Sequence, residues 1–163
     1  MKKRNILILC LLLAAFSLFA QNKKLQNFTF EDINGKKVNT AELLKKGPIV
    51  VDFWATFCAP CMKSLPAYNK LAQKYPNVTF IAVSSDSPKA KDKVIRTVKS
   101  LKLDMLTTID ANRSIQKIFS IKEIPETFVI NQDGEITFHH NGFIPGDENK
   151  LDKEIAKVVK GTK

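Results

Sequence analysis

Two cysteines separated by two residues, Cys58 and Cys61, are the side chains whose type and spacing point to chemistry. They follow an apolar, β-branched run from Ile49 that reads as a buried strand, and Cys58-Ala-Pro-Cys61 opens a helical pattern. Thiols at that spacing at a helix start form a redox arrangement. The unpaired N–H groups of a first helical turn and the positive end of the helix dipole favour a thiolate at Cys58. Cys58 is therefore the candidate nucleophile. Cys61, one turn further in, can face the same sulfur with less exposure and resolve a mixed disulfide by attacking Cys58. The pair can cycle between dithiol and disulfide.

The elements that must position this pair are legible on both sides of it. Phe28 to Phe30 and Lys36 to Val38, joined through Asn34-Gly35, read as a β-hairpin, and Asn39-Thr-Ala-Glu42 as a capping box for a short helix ended by Gly47-Pro48. Ile49 to Trp54 is the central strand; the helix from Cys61 runs to about Tyr75, kinked at Pro66 and stopped by Pro76. Val78 to Ser84 is a second buried strand. From Lys89 to Leu101, Val94, Ile95, Val98 and Leu101 share one face and the lysines the other, which is an amphipathic helix on a sheet. A strand at Met105 to Ile109 and a helix at Ala111 to Phe119 follow, then two strands, Thr127 to Ile130 and Glu135 to His140, joined by Asn131 to Gly134. Asp147 to Lys160 closes the chain as a helix with Leu151, Ile155, Val158 and Val159 inward. Strands alternating with helices and then a hairpin give an α/β class with a mixed sheet.

The start of the chain bears on where such a pair would work. Met1-Lys-Lys-Arg-Asn5 is basic, and Ile6 to Ala20 is an apolar run of about 15 residues, short of the ~20 that a spanning helix needs. Residues 1–20 therefore read as a signal peptide cut after Ala20, with an uncleaved anchor as the alternative and a lipoprotein at Cys10 disfavoured by the large Leu9 before it. Residues 21–27 read as a flexible lead-in and 28–163 as the domain. Removing 20 of 163 residues leaves 143, a one-core length, and takes the net charge from +10 to +7. With Cys10 gone, Cys58 and Cys61 can pair only with each other or with a partner, so no structural disulfide framework exists. The lysines concentrated between Lys89 and Lys102 lack interleaved aromatics and read as a solvated basic surface, not a nucleic-acid platform. A zinc site would have to draw on His139 and His140, which as strand neighbours point to opposite faces, so no metal is expected.

Val51-Asp-Phe-Trp-Ala-Thr-Phe-Cys-Ala-Pro-Cys61, with Pro66 five positions on, resembles the active-site segment of the thioredoxin superfamily. Ile124-Pro-Glu-Thr-Phe-Val-Ile130 is similar to the segment in which that superfamily holds a cis-proline beside the active site. The exported start, the N-terminal hairpin and the helix inserted around Lys89 to Leu101 resemble those of the TlpA/ResA-type branch, exported thiol:disulfide oxidoreductases. The resemblance implies a thioredoxin fold from about Phe28 onward. It implies that Asp52 is the buried carboxylate, its pKa raised by Phe53, Trp54 and their neighbours, exchanging a proton with Cys61. It implies that Pro125 sets the Ile124 backbone against the sulfurs to offer strand-like hydrogen bonds to a substrate. Pro60 stiffens the turn and removes one N–H from the dipole end. Trp54, Phe57, Pro60, Ile124 and Pro125 are the expected substrate-contact surface.

Three positions depart from the branch pattern. Ser64 stands where a glutamate is frequent, Phe57 where tryptophan is usual, and Glu126 follows the expected cis-proline where threonine is common. For Glu126 two readings stay open: an acid that replaces the missing glutamate or selects a basic partner, and a solvated rim acid. The resulting expectation is an exported enzyme, in the periplasm or on the extracytoplasmic face, acting in cell redox homeostasis. It reduces partner-protein disulfides, takes electrons from a membrane thiol-transfer reductase, and needs no cofactor; the resemblance extends to cytochrome c-type biogenesis. The membrane is met only through the N-terminal segment, and monomer is the default state. The alternatives are a thiol peroxidase using Cys58 with Thr56 and Arg96 or Arg113, and a redox-inert binding module.

Overall fold

A computed structural model describes residues 24–161 of the chain. The expected signal peptide, residues 1–20, lies outside the described residues. In chain order the elements are β1 (Thr29–Glu31), β2 (Lys37–Asn39), α1 (Thr40–Leu44), β3 (Ile49–Trp54), α2 (Ala59–Lys74), β4 (Thr79–Ser84), α3 (Lys91–Ser100), β5 (Leu106–Ile109), α4 (Ser114–Phe119), β6 (Glu126–Ile130), β7 (Ile136–Asn141) and α5 (Asp147–Gly161). A single 3₁₀ turn, Pro88–Ala90, leads into α3.

β3 is the axis of a five-stranded mixed sheet ordered β5-β4-β3-β6-β7. It runs parallel to β4 and antiparallel to β6, with Asp52 opposite Thr127 and Phe53 opposite Glu126. All six of its residues are buried, as a central strand covered on both faces requires. Because alternate side chains face opposite sides, the strand divides its residues between two cores. Val50 and Trp54 point to the side of α2, α3 and α5, where they pack with Cys61, Leu65, Tyr68, Val94, Leu151 and Ile155. Val51 and Phe53 point to the other side, against the hairpin, α1 and α4. There Phe53 meets Phe119 and Phe128 edge-to-face, at 5.2 and 6.1 Å between centroids, and the latter two rings pack tilted at 4.8 Å. The entry into β3 is tight: a β-carbon on Gly47 would collide with the Asn77 backbone carbonyl, so Gly47 lets the chain turn beside the start of β4.

The observed elements refine the sequence expectations at their ends. The helix expected from Cys61 starts at Ala59, with Cys58 as its N-cap, and continues through Pro66 to Lys74. Pro66 has no N–H to donate, and flanking turns carry the helix past it. The helix expected from Ala111 starts at Ser114, because the Asp110 carboxylate accepts from the Ile115 and Gln116 N–H groups and fixes the start there. Asn39 caps α1 by accepting from the Ala41 N–H, while Glu42 pairs with Lys45 instead of closing a capping box. The lead-in expected to be flexible is tied down from Lys24 onward: Leu25 is buried, its N–H donates to the Gly134 carbonyl at 2.7 Å, and Lys24 bridges to Glu135. One leucine in a polar stretch gave no periodic signal, and its burial depends on a turn more than a hundred residues away.

Candidate active site

Cys58 and Cys61 are joined by a disulfide, with their Cα atoms 5.2 Å apart, at the N-terminus of α2. The Cys61 N–H donates to Cys58 Sγ at 3.3 Å, so a first-turn amide is aimed at the sulfur on which thiolate charge would develop. Cys58 keeps 7% of its surface exposed and Cys61 none. That asymmetry gives an incoming sulfur access to Cys58 and shields Cys61. Cys58 Sγ lies 3.8 Å from the Ile124 carbonyl oxygen. The Ile124–Pro125 peptide is cis, and the Pro125 carbonyl accepts from the Gly142 N–H at 2.8 Å.

Asp52 sits on the face of β3 that α2 covers and is 2% exposed. Thr127 Oγ1 donates to Asp52 Oδ1 at 2.8 Å, while Oδ2 has no hydrogen-bond partner among the described residues. Burial pushes the Asp52 carboxyl up to about 7, against which the Thr127 hydrogen bond pulls down. Tyr68 of α2 reaches the same threonine, with its hydroxyl 3.4 Å from Thr127 Oγ1. Burial first, and the neighbouring Asp52 charge second, hold the Tyr68 phenol above its ordinary value. Tyr68 itself packs edge-on against Phe143 at 5.6 Å. A carboxyl that titrates near neutrality thus lies under the same helix as the shielded cysteine.

The expected contact surface divides into exposed and buried members. Phe57 is 73% exposed, Pro60 is exposed and Ile124 is half-buried, so these stand around Cys58. Pro125 is buried and contributes backbone geometry. Trp54 corrects the expectation: it is 0% exposed and belongs to the core under α2. As the last residue of the central strand it faces inward beneath the redox turn, where a partner cannot reach it. Ser64, at the position of the frequent glutamate, is also fully buried and turns its hydroxyl back to the Cys61 carbonyl at 3.2 Å. Glu126 is 5% exposed, which removes the solvated-rim reading, and it lies on the sheet face away from Asp52. His139 and His140 do point to opposite faces, the first to Glu126 and the second to Asp147.

Sequence reasoning missed a tether on the redox turn. The buried carboxylate of Asp86, just past β4, accepts from the Thr56 N–H at 2.8 Å, the Thr56 hydroxyl at 2.6 Å and the Ser84 hydroxyl at 2.8 Å. This fixes the chain two residues before Cys58. Thr56 and Asp86 are 30 residues apart, and the parallel pairing of β3 with β4 is what brings them together. Thr127 was missed for the same reason: its role exists once β6 lies against β3.

Comparison with known proteins decides the family. The redoxin family model matches residues 20–155. The chain belongs to the redoxin family. Among redoxins it is similar to the thiol-disulfide oxidoreductase ResA of Halalkalibacterium halodurans, 31% identical over 146 residues, 88% of this chain and 80% of the relative. ResA of Bacillus cereus is 32% identical over 124 residues, 72% of this chain and 71% of the relative. The redoxin chain described here is accordingly a ResA-like thiol-disulfide oxidoreductase with a C-x-x-C pair. Its thioredoxin-like fold is shared with a thioredoxin-family thiol:disulfide interchange protein from Chlorobium tepidum, at a TM-score of 0.74 and 20% identity over 86% of this chain and 98% of that one. A thioredoxin-like protein from Porphyromonas gingivalis aligns at a TM-score of 0.71 and 27% identity over 85% and 94% of the two chains.

Proposed function

We propose that this redoxin is an exported reductant of disulfides in partner proteins. The observation that carries the reading is the Cys58–Cys61 disulfide at a helix N-terminus, with the more accessible sulfur 3.8 Å from the carbonyl of the residue that precedes a cis-proline. An extended partner segment beside Ile124 would pair with its backbone and present a sulfur to Cys58.

In the proposed cycle the Cys58 thiolate attacks one sulfur of a partner disulfide. A mixed disulfide forms, and the partner's other sulfur leaves as a thiolate that takes up a proton. Cys61 gives its proton to Asp52 and attacks Cys58 Sγ; the second partner sulfur leaves, and the Cys58–Cys61 bond closes. Two electrons pass from the dithiol to the partner disulfide, and no cofactor is needed. Asp52, pushed up to about 7 by burial, holds and releases a proton in the working range of such chemistry. Phe57, Pro60 and Ile124 form the apolar contact around the sulfur, and Trp54 and Pro125 support it from beneath.

Export rests on the basic start and the apolar run of residues 6–20, which we read as a signal peptide ahead of a domain acting in the periplasm or at the extracytoplasmic face. In that location a membrane thiol-transfer reductase would return the pair to the dithiol. Cytochrome c maturation is the process that the TlpA/ResA resemblance implies. Disulfide exchange is favoured over peroxide reduction because the Thr56 hydroxyl, which a peroxidase would turn toward Cys58, is committed to Asp86 at 2.6 Å.

The test is the reduction potential of the pair, by equilibration with a dithiothreitol or glutathione buffer, alongside reduction of insulin disulfides. A potential near or below about −250 mV with insulin turnover supports the reductant; one near −120 mV reverses the direction, and an unreactive pair leaves a binding module.

A further inference from the structure

We infer that Glu126 and His139 form a strap that fixes the loop presenting Ile124 to a protein substrate, so that Glu126 is a positioning residue for docking and not a tuner of the thiols. The inference rests on the proposed reading and deepens it.

The register of β6 supplies the first half of the argument. Thr127 stands opposite Asp52 and shares its face, so Glu126, one residue earlier and opposite Phe53, faces the other way. Phe128 and Ile130, of the same parity, lie in the core with Phe53 and Phe119. The sheet therefore separates the Glu126 carboxylate from Cys61.

What the carboxylate does on that face supplies the second half. Oε1 accepts from the Lys122 N–H at 3.2 Å and the Glu123 N–H at 3.4 Å. Oε2 lies 2.8 Å from His139 Nε2, and the His139 ring is stacked flat on Phe128, 4.3 Å between centroids with 3° between planes. The strapped residues immediately precede Ile124, whose carbonyl faces Cys58, and the far side of the cis peptide is held by the Gly142 N–H. The Ile124 backbone is thereby pinned from both sides while its side chain stays half-exposed. A preformed edge lowers the ordering cost of docking an extended chain. A small disulfide needs only the sulfur and gains nothing from it.

Glu126→Ala, Glu126→Gln and His139→Ala are compared with the wild-type chain in the same assays. Glu126→Ala is expected to raise KM for insulin about tenfold with kcat within about twofold, and to leave the rate with oxidised glutathione and the reduction potential unchanged. Amide hydrogen exchange at Lys122 and Glu123 should accelerate. Glu126→Gln keeps an oxygen for both N–H groups and should stay near wild type; His139→Ala, at a half-exposed site, should shift KM and exchange in the direction of Glu126→Ala by less. A reduction potential that moves equally in Glu126→Ala and Glu126→Gln would mean the charge acts on the sulfurs and would overturn the strap, as would unchanged KM for insulin. Exchange is read without any activity: if the wild-type chain fails to reduce insulin, the proposed function falls, yet unaccelerated exchange in Glu126→Ala and His139→Ala still decides against the strap.

Discussion

Asp52 and Glu126 are buried carboxylates on adjacent antiparallel strands, 2% and 5% exposed, turned to opposite faces of one sheet. Asp52 has one hydrogen bond among the described residues, from Thr127. Glu126 has two backbone N–H donors and a histidine. A buried charge is tolerated to the extent that donors replace its lost hydration. Asp52 is left short of donors, so burial pushes its carboxyl up to about 7, which suits it to the acid–base role proposed for it, at the cost of stability. Glu126 is supplied with donors and becomes part of the scaffold. The contrast between the two faces is one of partners and not of residue type.

The most severe way to break the comparison is to remove what the Asp52 face serves. Cys61→Ser should lower insulin turnover by more than about 10³-fold and trap mixed disulfides through Cys58, detectable by mass spectrometry. Asp52→Asn should lower turnover by about 10²-fold at neutral pH, the range expected when an acid–base group is lost, while still accepting the Thr127 hydrogen bond. The two carboxylates should then differ in the sign of their effect on stability. Below about pH 4, Asp52 is protonated in both the folded and the unfolded chain and carries no penalty. As pH rises from about 4 to about 7, the unfolded chain loses that proton first, so the folded state loses stability, and the loss levels off above about 7. Asp52→Asn escapes this and should be more stable than wild type at pH 8 by up to about 4 kcal/mol, with the gap closing by pH 4 in urea titrations.

Glu126→Ala should instead destabilise, by about 1–3 kcal/mol at pH 8, because it removes the acceptor of the Lys122 and Glu123 N–H groups. If Asp52→Asn and Glu126→Ala move stability at pH 8 in the same direction, the assignment of one carboxylate to chemistry and the other to scaffolding is wrong. The mildest expected effect comes from Thr127→Val. It removes the hydrogen bond that lowers the Asp52 pKa, so the acidic limb of the activity profile should move toward higher pH.

A third buried carboxylate extends the lesson. Asp86 receives three donors from Thr56 and Ser84 and, like Glu126, acts on a loop at the redox end of the sheet. The pair of sulfurs is thus held between two anchored loops. The turn before Cys58 is fixed through Asp86, and the turn before Pro125 through Glu126.

Much of this fold was legible in one dimension because its signals are local. The β-branched run of β3, the C-x-x-C at a helix start, the lysine-and-valine pattern of α3 and the Asn131 to Gly134 turn each depend on residues close in sequence. Cys58 and Cys61 belong to that class, since a helix start is all that a three-residue spacing needs in order to bring two sulfurs together. Asp52 and Pro125 were identified by resemblance, which carries over the outcome of tertiary packing without its derivation.

Other assignments required the folded sheet. Trp54 reads as a rim aromatic beside the active site and is instead sealed in the core, because the parity of β3 and the cover of α2 decide where its ring goes. Glu126 reads as an acid next to the active site, yet the register of β6 against β3 turns it to the far face. Thr127, Asp86 and Leu25 gain their roles from partners 30 to 109 residues distant. The sequence by itself determined the Cys58–Cys61 spacing at a helix start and most of the strand and helix segments, because backbone propensity and hydrophobic period act over a few residues. Only the tertiary structure decided which of the buried carboxylates is starved of donors, because donors to a buried charge come from whichever strands the sheet sets side by side.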